Sequence, residues 1–462
     1  MQEIVRKPQR SFLRNFSKLA LPIMGQTLMI AAMQIVDSVL VGQLQQGRAL
    51  LGEYTISGVT QANKFAFLFQ ITAFGMAGGA SAFFAQYWGK RDQDGIDRTL
   101  DLGIVAGLIA ALVFAIPSIL APAWVLTPLL NSPEALWYGS IYLRIVALSF
   151  FPYAISAMLG ATFKSTERVM LPMFASLAGA AIDALMSYIL IFGKFGAPRM
   201  EVAGAAAGSL LGVLAELAIL LTIGLQKKYI RLKGVKQFRR LPVEFVRKFL
   251  KVVLPVVGNE MLWAFGVVAY AATYGNMINS SAATSAVNIY NNVEQLASVI
   301  LRGTTQAAAV MIGMSIGAGR EGDAIRDAKR LLIMNVAVAA VTAVPILLFG
   351  GEITHLFSVG EATKQSAQRL IQIFAFALPL IAANSAMVVG IFRSGGDSTF
   401  SMLLDVLPMW LLGVPLAFLA ALVFRWPVEY VYLVTVSEYA VKVGFGLRRL
   451  WSGKWVHNLV RR

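Results

Sequence analysis

Six carboxylates fall inside long apolar stretches of this chain: Asp37, Asp183, Glu216, Glu260, Asp405 and Glu438. A charge at the centre of a membrane-spanning helix costs about 3 kcal/mol, so such residues are rare unless something uses them. Asp37 is the one charge in the run from Leu19 to Leu44. At helical spacing Thr27, Ala31, Gln34 and Asp37 share one small or polar face, which points to a cavity or a second helix. Asp183 and Ser187 stand one turn apart, where an acid and a hydroxyl can bind a proton or offer oxygens to Na⁺. A structural hydrogen bond accounts for that pair equally well. Glu260 is followed by Trp263, Tyr270 and Tyr274 on one helical face, and a carboxylate beside aromatic rings suits an organic cation. The plainer alternative is an aromatic helix–helix seam with a snorkelling glutamate. Asp405, Asn291 and Asn384 add polar groups to the second half of the chain. No nucleophile–base pair, metal-ligand cluster or P-loop is visible, so an enzyme is not expected. Gly317, Gly319 and Gly322 spell GxGxxG, but no strand precedes them.

The elements that must position these residues are membrane helices. The chain is 57% hydrophobic and 14% charged over 462 residues, with no cysteine. A soluble globular chain carries roughly 25% charged residues. Apolar runs broken by charges and Pro/Gly clusters predict about twelve transmembrane helices, an all-α integral membrane protein. Their spans are 18–43, 55–88, 98–121, 135–163, 169–193, 202–226, 245–276, 283–316, 327–350, 365–392, 398–424 and 428–451. The net charge of +16 is carried by loops. With the N-terminus inside, 30 of the 40 Lys and Arg residues fall on the inner side and 6 on the outer. That asymmetry places both termini in the cytoplasm of a multi-pass protein of the cell membrane. Nucleic acid is not an expected partner.

A basic segment, 227–244, divides the chain into six-helix lobes at 1–226 and 245–462. The lobes repeat. Pro22, Gly25 and Gly42 recur as Pro255, Gly258 and Gly275, 233 positions on. Ser57, Asn63, Gly75 and Gly89 recur as Ser285, Asn291, Gly303 and Gly317 at 228. Ser156, Phe163 and Met173 recur as Ser385, Phe392 and Met402 at 229. Two pseudo-symmetric six-helix bundles of like orientation, with a cavity at the membrane midplane, are a transporter architecture.

With these features in view, the chain resembles the multidrug and toxic compound extrusion (MATE) family over nearly its whole length. The resemblance rests on LPIMGQ…VDSVLVGQL in the first helix, GKRD at Gly89–Asp92, and ILIFGKFGAP…VAGAAAGS from Ile189 to Ser209. LPVVGNEMLW and the stretch Gly390–Ala417 carry it in the second half. It implies a secondary active antiporter that exports cationic amphipathic drugs or toxic organic compounds in exchange for H⁺ or Na⁺. It further implies that Asp37 is the first-helix acid of the N-lobe and Glu260 the seventh-helix glutamate. Two departures bear on the ion. Asp183 followed by Ser187 stands where members resemble an Asn followed by an Asp, and Asn384 is the most polar residue where NorM-like members have a tenth-helix acid. The resulting expectation divides the labour. Asp37, Asp183 and Ser187 couple the ion, with Na⁺ able to sit at Asp37 and Asp183. Glu260, Gln34, Trp263, Tyr270, Tyr274, Asn291, Asn384 and Asp405 meet the substrate. No cofactor beyond the H⁺ or Na⁺ is expected, and the protein is expected to work among membrane lipids as a monomer. The alternative within the same superfamily is a flippase of lipid-linked precursors, which would line its cavity with Lys and Arg. Away from the span ends, only Lys64, Arg144, Arg302 and Lys442 fall within the spans.

Overall fold

The computed structural model describes residues 9–42, 49–130, 132–232, 242–357 and 359–461, without the side chains of 9–11 and 30–53. Every regular element among them is helical, and twelve long helices follow one another. They are α1 (Gln9–Gly42), α2 (Ala49–Lys90), α3 (Gln93–Leu120), α4 (Pro133–Ser165), α5 (Met170–Phe192) and α6 (Val202–Gln226) in the first half. The second half has α7 (Val243–Gly275), α8 (Ser280–Gly317), α9 (Glu321–His355), α10 (Glu361–Phe392), α11 (Ser398–Val423) and α12 (Val428–Ser452). Among the described residues ten of these are long and apolar enough to cross a membrane. Each predicted span has its helix, with ends displaced by several residues.

Local chemistry sets the boundaries. Asp92 caps α3 by accepting the Gly95 N–H at 2.9 Å, and Ser132 caps α4 ahead of Pro133. Gly193 and Gly453 end α5 and α12 in the left-handed conformation. Prolines lie inside several helices, among them Pro22, Pro255, Pro379 and Pro408. Wider π-type turns follow at Ala386–Phe392, Met409–Gly413 and Leu419–Val423, re-aiming the side chains of α10 and α11. Outward stripes are apolar. Ile109, Val113, Ile116 and Leu120 of α3 are exposed, as are Ile333, Val341, Val344 and Leu348 of α9. Such stripes belong against lipid tails.

The chain forms two compact units. One, the N-unit, comprises Gly25–Phe84 and Asp92–Val253. The other, the C-unit, comprises Leu254–Arg462 with Met1–Met24 and Ala85–Arg91. The N-unit core is built on Phe69, stacked on Phe150 at 4.4 Å, with Ala62, Ala111, Leu143 and Ala206 around it. The C-unit core gathers Ile289, Leu370, Phe374, Leu378, Ala417 and Val431. The repeat is visible inside each unit. A Cβ placed on Gly25 would touch the Met173 sulfur at 3.4 Å, and one on Gly258 would touch the Met402 sulfur at 3.4 Å. These are the repeat-matched pairs, so α1 packs on α5 as α7 packs on α11.

Within the C-unit the end of α2 crosses the end of α8. A Cβ on Gly89 would run into the Met314 carbonyl, one on Gly317 into the Gln86 carbonyl, and one on Gly313 into Ala85. At the 228-residue displacement these positions exchange with one another, so the contact is its own mirror under the repeat. A strap formed by residues 454–461 closes over this crossing. Trp455 is fully buried, Gln86 binds the His457 carbonyl and the Leu459 N–H, and Lys90 binds the Val460 carbonyl at 2.8 Å.

Candidate functional site

In the C-unit, four helices bring ionisable and amide side chains to one buried junction. The sequence LPVVGNE puts Asn259 and Glu260 side by side on α7, so the two point to different neighbours. Asn259 donates to Asp405 of α11 at 3.2 Å, and Asn384 of α10 donates to the same carboxylate at 3.1 Å. Lys442 of α12 reaches Asp405 at 3.2 Å and, one turn back on its own helix, Glu438 at 2.8 Å. Tyr270 of α7 donates its hydroxyl to the other oxygen of Glu438 at 2.8 Å. The Lys442 side chain is 1% exposed. Gly413, within the π-type turn of α11, makes room for this: a Cβ there would strike the Glu438 carboxylate and the Tyr270 hydroxyl.

Glu260 is held at 2.7 Å by Arg393, which caps the end of α10, both largely buried. Its partner is therefore a guanidinium. The aromatic residues expected beside it have other places: Tyr270 goes to Glu438, Tyr274 is buried in the core, and Trp263 is partly exposed. Asn291, like its repeat counterpart Asn63, is exposed on its helix.

In the N-unit, Ser187 donates to Asp183 at 3.0 Å, as their one-turn spacing suggested. Ser209 also hydrogen-bonds this carboxylate. The pair is pressed against α6 by a stripe of small residues, Gly204, Gly208 and Gly212. A Cβ on Gly208 would run into Ser187, and one on Gly212 into Asp183. No cation lies within ion-pair distance of Asp183 among the described residues. One step along, Gln26 donates to Ser176 at 2.9 Å and Ser176 to Glu216 at 2.7 Å, with Lys164 in electrostatic reach of Glu216. Gln34 and Asp37 fall on α1, and their side chains lie outside the described residues.

Arg393 and Asn259 had no place in the sequence reading of the site, and Lys442 entered it only as a cation within a span. Arg393 was counted among loop charges, yet it sits 4% exposed at the end of α10. The usable signal was position: Arg393 is the repeat counterpart of Lys164, so both halves put a cation there.

Membrane-length helices in two matching repeats, with ionisable groups buried at corresponding positions, define a duplicated multi-pass membrane protein of the transporter kind. The chain belongs to the MatE family, whose sequence model matches residues 22–189 and again 255–419. The resemblance read from the helix-one and GKRD motifs thus holds, and the double match falls on the two repeats. Among curated proteins it is 27% identical to the probable multidrug resistance protein NorM of Rhizobium meliloti over 89% of this chain and 86% of that one. Its fold is shared with a MATE protein crystallised in complex with MaL6, at a TM-score of 0.84, 16% identity and coverage of 95% and 96% of the two chains. It is shared equally with a MOP-superfamily transporter from Pyrococcus furiosus described as having a binding pocket of reversed polarity, at a TM-score of 0.82, 16% identity and the same coverage.

Proposed function

We propose that this protein is an ion-coupled multidrug efflux antiporter, exporting cationic amphipathic compounds by alternating access with both termini in the cytoplasm. The observation that carries the reading is the state of Asp183. It is a carboxylate inside a membrane-length helix, served by hydroxyls and, among the described residues, by no resident cation, whereas Glu260, Asp405 and Glu438 are each paired. An acid so placed is open to a proton or Na⁺. In the mechanism, Asp183 with Ser187 and Asp37 takes up the ion in the outward-facing state and releases the compound. Deprotonated, the site favours the inward-facing state, where Glu260 exchanges Arg393 for the incoming organic cation. Kinship with NorM proteins supports the substrate class.

Flipping of an anionic lipid-linked precursor would need cations free to meet it. Lys442 and Arg393 are instead committed to carboxylates, which favours the cation-export reading.

The test is efflux of a cationic dye from proteoliposomes under an imposed Na⁺ or pH gradient, one at a time. Wild type should respond to one of them, and Asp183→Asn and Asp37→Asn should each lose the ion-driven component. Undiminished ion-driven efflux in both variants rejects the assignment.

A further inference from the structure

The two halves build the same junction with opposite charge. In the N-unit a side chain of α1, Gln26, donates to Ser176 of α5, which donates to Glu216 of α6. In the C-unit the matching side chain of α7, Asn259, donates to Asp405 of α11, which is bound by Lys442 of α12. Gln26 and Asn259 are 233 positions apart, and Ser176 and Asp405 are 229 apart, the displacements of the repeat. Counted from the helix starts Val202 and Val428, Glu216 and Lys442 occupy the same place. The fold therefore does not require an ammonium there, since one half makes the junction without it.

We propose that Lys442 is a tethered cation: its ammonium occupies an oxygen-lined cation site in the C-unit and excludes a free metal cation from it. The site is made of groups suited to a hard monovalent cation. Two carboxylates, Asp405 and Glu438, lie within 3.2 Å and 2.8 Å of the ammonium nitrogen. The carboxamides of Asn259 and Asn384 both turn their NH₂ groups onto Asp405, and both carbonyl oxygens are left buried with no donor among the described residues. Buried carbonyl oxygens are ordinarily satisfied. Half a turn of either amide would present that oxygen to a cation held between the carboxylates. With Lys442 in place no such cation is needed, because a buried lysine keeps its charge only beside compensating carboxylates. Nor can the ammonium simply leave, being enclosed and fixed to α12. The consequence for the proposed antiport, on which this clause alone rests, is that metal coupling is barred from this C-unit junction, and the ion chemistry proposed above stays with Asp183 and its neighbours.

The experiment is thermal unfolding of the purified full-length protein in detergent, in Na⁺, Li⁺ or choline at equal ionic strength. Lys442→Met should gain a metal-dependent rise in melting temperature of about 2–4 °C beyond any wild-type response. Lys442→Met with Asp405→Asn should lose that gain, and Lys442→Arg should show none. A folded Lys442→Met protein that responds to metal no more than wild type overturns the proposal. If Lys442→Met does not fold, Asp405→Asn alone decides. Its metal response should equal that of wild type, including where wild type has none, and a response lost with Asp405→Asn shows that metal already enters the site. The readout is binding, so failed transport leaves the proposal standing and successful transport does not rescue it.

Discussion

At the scale of single residues, the paired and the unpaired acids should behave differently. Glu260 neutralises a buried guanidinium, so Glu260→Gln should destabilise the protein by about 3–5 kcal/mol by leaving Arg393 uncompensated. Adding Arg393→Met should recover much of that loss, and a double-mutant cycle read by thermal unfolding checks it. Asp183→Asn removes no ion pair and keeps an acceptor for Ser187, so it should cost little stability while abolishing ion-driven efflux. The Asp183–Ser187 contact was legible in the sequence because both partners lie on one helix, where spacing alone decides contact. Asp405 and Asn384 were legible as polar residues in apolar spans, but their contact with each other and that of Asp405 with Lys442 were not. These groups meet only because α10, α11 and α12 converge, and convergence of distant helices leaves no local pattern.

At the scale of helices, α5 and α6 meet along the stripe Gly204, Gly208, Gly212. Gly208→Ala should destabilise by about 1–3 kcal/mol, because the added methyl runs into Ser187 and must push α5 away. The same variant should impair efflux beyond its stability loss, because Ser187 carries the Asp183 contact. A comparison of melting temperature with dye efflux separates the two effects. Helix existence and length followed from hydropathy because the bilayer demands about 20 apolar residues per crossing. The π-type turns at Met409–Gly413 and Leu419–Val423 did not follow. They lie beside Pro408 and Pro415, whose missing N–H groups interrupt the regular ladder, and apolar content does not change across them.

At the scale of the whole molecule, the basic linker should face the cytoplasm. The chain has no cysteine, so Val235→Cys offers a single thiol that an impermeant reagent should label only from the inner side. Labelling of intact cells from outside would reverse the proposed orientation. The duplication was legible as three blocks of matched residues; the inversion of charge between Glu216 and Lys442 was not, because neither residue belongs to a matched block. The strap of residues 454–461 has one more effect, on the order of assembly. Its Val460 carbonyl is bound by Lys90, 370 positions upstream, and its buried Trp455 packs on Phe392 and Gly395 and so anchors it. Contacts between such distant segments form late in folding. The end of α2 must therefore wait, unstrapped, while more than three hundred residues are synthesised and inserted. Trp455→Ala should accordingly lower the yield of mature protein more than its equilibrium cost of about 3–5 kcal/mol would suggest, since the waiting form is the one that quality-control proteases meet.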